Sequence, residues 1–299
     1  MSILIDASTT AMVQGITGAQ ARFDTQWCLE YGSRIVGGVS PGKGGSMVHG
    51  LPVYDTMARA CAAHEVDASI LYVSAARVKD AVLEAIAAGV RLVVVTAEHV
   101  PVHDAAFVAA LARQRGVRLV GCNTNGLISP GRSKLGGVGG MRPDDLYPIG
   151  GIGICSRSGG MMAEIGLALK AAGYGVSTSV AMGGDVVTGM RMADYVRLFQ
   201  DDPDTHAIVL FGEPGTSNEE EVAELVRTGI VTKPVVALIA GQFQERYSAG
   251  QSFGHAAAII GDGNGSASLK RQRLRDAGVS VAHALEDIPR WLEERGVPP

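Results

Sequence analysis

Ala11-Met12-Val13-Gln14-Gly15-Ile16-Thr17-Gly18-Ala19-Gln20-Ala21 decides the fold class. A short apolar run at Ala11–Val13 stops on a glycine, and a second glycine three residues on opens a helical pattern. Strand, tight turn and helix in that order begin a βαβ unit. Working outward, further strands are expected near Arg34–Gly37, Ser69–Val73, Arg91–Val95 and Arg118–Gly121. Amphipathic helices are clearest at Val78–Ala88 and Asp104–Gln114, each followed by a glycine, Gly89 and Gly116. That alternation predicts a parallel, doubly wound sheet, which binds ligands at the carboxyl ends of its strands.

Between Gly126 and Gly151 the rhythm breaks into Gly, Pro and charge, as in Ser129-Pro130-Gly131 and Pro143-Asp144-Asp145. This is the linker expected between two domains. Strands then resume near Ile152–Cys155, Val176–Ala181, Ala207–Leu210 and Val235–Ile239. Helices are expected near Met161–Ala172, Met192–Phe199, Glu219–Thr228 and Leu269–Ala277. The sequence therefore predicts an α/β protein with a Rossmann-like domain over 1–127, a linker over 128–150 and a flavodoxin-like domain over 151–299.

Composition agrees with that reading. The chain has 299 residues, 46% hydrophobic but only 5% aromatic, so its cores are built from small aliphatic side chains. Its 40 glycines are about twice the ~7% average, without collagen periodicity. A net charge of -4 argues against a nucleic-acid or anionic-membrane surface. Four scattered cysteines, Cys28, Cys61, Cys122 and Cys155, make neither a CxxC zinc site nor a disulfide framework. No signal-peptide pattern and no membrane-length apolar run occur, which predicts a cytoplasmic protein.

Several turns carry chemistry. Gly15-Ile16-Thr17-Gly18 offers backbone N–H groups at a helix N-terminus, an anion site, although the same residues suit a plain tight turn. A dinucleotide reading needs a carboxylate about 20 positions on, and Ile35-Val36-Gly37-Gly38-Val39 has none. Counted from Gly37, Lys43 nearly completes a phosphate loop, but Gly44 stands where a magnesium-binding hydroxyl belongs. Lys43 thus reads as one cation on a loop meeting a ligand phosphate. Thr96-Ala97-Glu98 and Asn123 follow the fourth and fifth strands, where a bound ligand would be met. Ser156-Arg157-Ser158-Gly159-Gly160, between strand and helix, is either a second phosphate cradle or an ordinary serine cap. Glu213 sits in a glycine-rich turn after Ala207–Leu210. His255 lies among small residues from Phe253 to Gly265, which let an imidazole approach a partner closely.

Taken together, Gly15-Ile16-Thr17-Gly18, Pro41-Gly42-Lys43-Gly44-Gly45, Ser156-Arg157-Ser158-Gly159, Gly183-Gly184-Asp185, Gly212-Glu213 and Gly254-His255-Ala256 resemble, in order and over nearly the whole chain, the α subunit of succinate–CoA ligase. The resemblance implies an acid–thiol ligase of the nucleoside-diphosphate-forming acyl-CoA synthetases. It implies CoA held by Thr17, Gly18, Ala19, Gln20, Lys43, Thr96, Ala97, Glu98 and Asn123. It implies that His255 carries phosphate, that Glu213 hydrogen-bonds it, and that Ser156, Arg157, Ser158, Gly159 and Gly160 receive the phosphate. ATP or GTP and Mg2+ are then expected on an ATP-grasp β subunit, with no metal on this chain.

Four departures stand out. The family's Gly-Pro-Asn-Cys-Pro-Gly reads Gly121-Cys122-Asn123-Thr124-Asn125-Gly126 here, and a tyrosine near the acid substrate is replaced by Ala163. Gly-Lys-Arg-Met-Gly-His reads Gly250-Gln251-Ser252-Phe253-Gly254-His255, and Pro214 and Thr216 alter the turn after Glu213. Loss of the tyrosine and of loop cations predicts a reshaped acid pocket and a paralogue for another acid, malate being one option. A CoA-binding regulator without catalysis is the rival reading of the same changes.

Overall fold

The structure, a computed structural model, describes residues 2–251, 253–261 and 265–299. Ser252 and Asp262, Gly263 and Asn264, parts of the sequence stretches around His255, lie outside the described residues.

The first half runs β1 (Thr10–Gln14), α1 (Ala19–Glu30), β2 (Arg34–Val39), β3 (Met47–Val48), β4 (Leu51–Tyr54), α2 (Met57–Ala63), β5 (Ala68–Leu71), α3 (Val78–Ala87), β6 (Leu92–Val95), α4 (Val102–Gln114) and β7 (Arg118–Val120). These strands pair in the order β3-β4-β2-β1-β5-β6-β7, parallel apart from the β3–β4 hairpin. All of β1, β5 and β6 is buried, as expected of parallel strands covered on both faces. Gly89 and Gly116, at φ +86° and +67°, end α3 and α4 in the left-handed conformation that glycine tolerates.

The second half runs β8 (Leu127–Ser129), β9 (Ser133–Leu135), α5 (Pro143–Leu146), β10 (Ile149–Ser156), α6 (Gly159–Ala171), β11 (Val176–Ala181), α7 (Met192–Asp201), β12 (Ala207–Gly212), α8 (Asn218–Arg227), β13 (Val235–Ile239), α9 (Ala267–Asp276), β14 (Ser280–Ala282) and α10 (Asp287–Glu294). The sheet order is β14-β13-β12-β10-β11-β8-β9. Renumbered from β10, its parallel part reads 2-1-3-4-5, the flavodoxin order. The stretch read as the linker carries strands of its own: β8 pairs antiparallel with β11, and β9 with β8. Its strands are three residues long, too short to show periodicity among the surrounding glycines.

Both sheets have a topological switch, at β1/β5 and at β10/β12 on the two sides of their first strands. One apolar cluster joins the halves, with Val13, Ile70 and Val94 of the first sheet in the same group as Val180, Ile208 and Leu210 of the second. Among the described residues no helix is long and apolar enough to cross a membrane.

Candidate active site

The first crest forms where β1, β2, β6 and β7 end. Gly15 has φ +82°, and a β-carbon there would lie 2.4 Å from the Tyr72 carbonyl oxygen, so the turn requires glycine. Gly18 is the N-cap of α1 and no side chain caps it. The first-turn N–H groups therefore face outward beside exposed Gly18, Ala19 and Gln20. Thr17 Oγ1 lies 3.0 Å from Ser40 Oγ, joining the ends of β1 and β2. Asp55 Oδ1 accepts the Gly42 and Gly44 amides at 2.9 and 3.0 Å, which fixes the loop backbone while Lys43 stays exposed. Across the switch, Thr96 Oγ1 donates to the Leu71 carbonyl at 2.7 Å. Asn123 donates its backbone N–H to the Ala97 carbonyl at 2.9 Å and its side-chain amide to Glu98 at 3.3 Å. The residues expected to hold CoA thus lie along one sheet edge, on both sides of its switch.

The second crest begins where β10 ends at Ser156. Ser156 Oγ donates to the Ser158 carbonyl at 2.6 Å, and Ser158 Oγ accepts from the Met161 N–H at 3.3 Å as the N-cap of α6. The serine-cap reading therefore holds for Ser158. The cap leaves the N–H groups of Gly159 and Gly160, in the first turn, without intrahelical acceptors. Ala163 sits partly buried one turn farther along.

Arg157 is the unusual member. Its backbone N–H is tied to the Phe211 carbonyl at 3.2 Å, and its side chain is 1% exposed. Yet Nε and both terminal nitrogens of the guanidinium have no hydrogen-bond partner among the described residues. Burying such a group without hydrogen bonds costs free energy, so its surroundings suit an arriving anion. Glu213 Oε2 lies 3.7 Å from Arg157 Nε, beyond hydrogen-bond range.

The same Glu213 oxygen lies 2.8 Å from His255 Nδ1. A carboxylate only accepts, so Nδ1 carries a proton, and in the neutral ring Nε2 holds the free lone pair. The hydrogen bond and charge of Glu213 hold the imidazole pKa above its ordinary range, against burial and the nearby Arg157. The ring is 29% exposed and rests on Gly184, where a β-carbon would come within 2.5 Å of ring carbons. Ala257 N–H donates to the Gly184 carbonyl at 3.3 Å, and Gly215 N–H to the Gly265 carbonyl at 2.8 Å, laying the histidine segment on two glycine turns.

The two crests meet. A β-carbon on Gly183 would be 2.1 Å from the Cys122 carbonyl oxygen, and one on Gly159 would be 2.7 Å from Asn125 Cβ. Asp185, next to Gly184, is buried with Oδ1 unpartnered. Burial pushes its pKa up, with the Glu98 charge adding and the Asn123 side chain opposing. Sequence reasoning gave Gly184 and Asp185 no role, and it missed Glu219, whose carboxylate accepts the Glu213 N–H at 3.1 Å. Glu219 had a faint signal in its place six residues after Glu213, at the start of a helix.

Comparison with known proteins identifies the two domains. Residues 6–99 match the CoA binding domain family, and residues 149–292 match the succinyl-CoA ligase like flavodoxin domain family. The chain is 44% identical over 288 residues to the ADP-forming succinate–CoA ligase subunit alpha 1 of Archaeoglobus fulgidus, covering 96% of each. It is 41% identical to the ADP-forming sulfoacetate-CoA ligase subunit SqwL of Acholeplasma sp, covering 99% of each. Among solved structures, ATP citrate lyase from Methanothrix soehngenii in complex with citrate and coenzyme A superimposes with a TM-score of 0.89 at 26% identity. The match covers 99% of this chain but only 52% of that longer one. A CoA-binding domain followed by a flavodoxin-like ligase domain, with relatives of full length at this identity, settles the assignment: the chain belongs to the α-subunit family of the ADP-forming succinate–CoA ligases, a family of enzymes that join acids to CoA.

Proposed function

We propose that His255 is a phosphoryl carrier between a nucleoside triphosphate and a carboxylic acid. His255 Nε2 attacks the γ-phosphorus, the P–O bond to the leaving diphosphate breaks, and a P–N bond forms. The acid's carboxylate oxygen then takes the phosphoryl group, the P–N bond breaks, and an acyl phosphate results. CoA thiolate attacks the acyl carbon, which releases inorganic phosphate and leaves a thioester. Phosphoryl transfer depends on positioning and on charge stabilisation. Here Arg157 and the N–H groups of Gly159 and Gly160 supply the latter, and Glu213 fixes the tautomer that frees Nε2.

The observation that carries this reading is the buried, unpartnered Arg157 guanidinium beside the Glu213–His255 pair. In this scheme 1–127 binds CoA through Thr17 to Gln20, Lys43, Thr96 to Glu98 and Asn123. Residues 151–299 perform the transfer, and 128–150 connects the two while docking β9 on the second sheet. The triphosphate and its Mg2+ belong to a second, ATP-grasp subunit, a β partner, as the subunit names of the relatives support. The acid carries a second anionic group, because the relatives are named for succinate and sulfoacetate. Ala163 opens space for one that differs from succinate, malate included.

The test is phosphorylation of the co-purified complex with γ-labelled ATP. Acid-labile, base-stable label on His255 is expected, and His255→Asn abolishes it while CoA still binds. Label surviving that substitution removes the carrier role, and absence of label from the intact complex favours the regulator. A panel of carboxylic acids then identifies the acceptor. Turnover on succinate equal to that on every other acid removes the altered-pocket claim.

A further inference from the structure

Beneath the Glu213 turn lies an ion pair that is wholly buried. Lys270 of α9 and Glu219 of α8 are 0% exposed and bonded to each other. Glu220 Oε2 stands 3.5 Å from the same ammonium, and Arg273 3.6 Å from the other Glu220 oxygen. Desolvating such a pair costs about as much as the attraction returns, and apolar replacements of like volume are often as stable. Stability alone therefore does not explain the pair.

Its geometry does. One Glu219 oxygen is bound to Lys270, and the other accepts the Glu213 N–H at 3.1 Å. Gly212 is packed so closely that a β-carbon would fall 2.3 Å from Glu219 Oε1. Pro214 restricts Glu213 from the other side, since a residue before proline is biased to extended backbone. The main chain at Glu213 is thus pinned from both directions, and only its side chain reaches toward His255.

We propose that Glu219 and Lys270 are positioning residues for phosphoryl transfer. The buried ammonium aims the Glu219 carboxylate, Glu219 fixes the Glu213 backbone, and Glu213 holds the proton on His255 Nδ1. This inference rests on the carrier role proposed for His255.

The test uses the co-purified complex carrying Glu219→Met together with Lys270→Met, which removes the acceptor of the Glu213 N–H and both charges of the pair with little lost volume, while Arg273 remains beside Glu220. Retained CoA affinity and an intact unfolding transition serve as folding controls. Phosphohistidine formation is expected to slow about tenfold, with its pH midpoint moving down toward that of an ordinary imidazole. A folded double variant with wild-type rate and midpoint overturns the proposal. A measurement on the unmodified protein decides the matter if the variant does not fold. The Glu213 amide should exchange with solvent as slowly as that of Phe211 in β12, and exchange as fast as in an open turn overturns the proposal. Failure of the wild type to take label at all strikes the carrier reading instead, and the Glu213 exchange rate still judges the positioning.

Discussion

At the scale of single residues, the site is a competition for one carboxylate oxygen. Glu213 Oε2 serves His255 at hydrogen-bond distance and leaves Arg157 short of one. A buried guanidinium so poorly served weakens the empty protein. Arg157→Met should therefore leave the phosphate-free chain as stable or more so in thermal unfolding. Millimolar phosphate should raise the midpoint of the wild type but not of the variant, by linkage. Formation of phosphohistidine should fall about a hundredfold, the loss typical of removing one preorganised donor.

The His255 imidazole supplies a prediction of opposite slopes. Its folded pKa is raised, so its pairing with Glu213 contributes stability that is complete below the unfolded imidazole value and is lost as pH rises through the folded value. Nucleophilic attack needs the neutral ring, so labelling should rise through that same window. The gap in unfolding midpoint between wild type and His255→Asn should close as the labelling rate of wild type climbs. Labelling that falls with pH there contradicts the assignment.

At the scale of elements, the candidate site sits where strands hand over to helices, and the main chain is shaped to suit. Gly15 combines a left-handed φ with contact against the Tyr72 carbonyl. Gly15→Ala should cost about 1–3 kcal/mol in backbone strain, with the clash added. It should also weaken CoA binding in calorimetry. These handovers were the legible part of the sequence. β11 and β13 match their expected limits, and β10 with its serine-rich turn was evident from Ile152 to Gly160. The hairpin of β3 and β4 and the strands β8 and β9 were not, because they lie among glycines and prolines, outside the strand–helix rhythm that made β5, β6 and β7 readable at three to four residues. Glu219 and Lys270 were hidden for another reason. Each lies in a helix rich in like residues, Asn218–Arg227 and Ala267–Asp276, whose charges read as solvent-facing until tertiary packing buries two of them.

At the scale of the whole molecule, the halves are sewn together by polar groups as well as by apolar packing. Ser33, just before β2, donates Oγ to the Lys134 carbonyl at 2.7 Å and accepts the Lys134 N–H at 2.9 Å. Lys134 lies on β9, and its ammonium is buried and donates to the Gly140 carbonyl at 2.7 Å. Ser33→Ala strands both main-chain groups and should cost about 1–3 kcal/mol. Because one apolar cluster spans both sheets, calorimetry should show one transition moved downward, not two separated ones. Nothing in the sequence pairs Ser33 with Lys134, 101 positions apart. Rhythm reveals the layers of an α/β protein but not which of their edges touch.

Where the two crests meet, the wall dividing the His255 ring from the other half is only main chain thick. Gly184 supports the imidazole, and its neighbour Gly183 abuts the Cys122 carbonyl. Main chain set against main chain leaves no room for an added methyl, so alanine at Gly183 or Gly184 should push the ring off its seat.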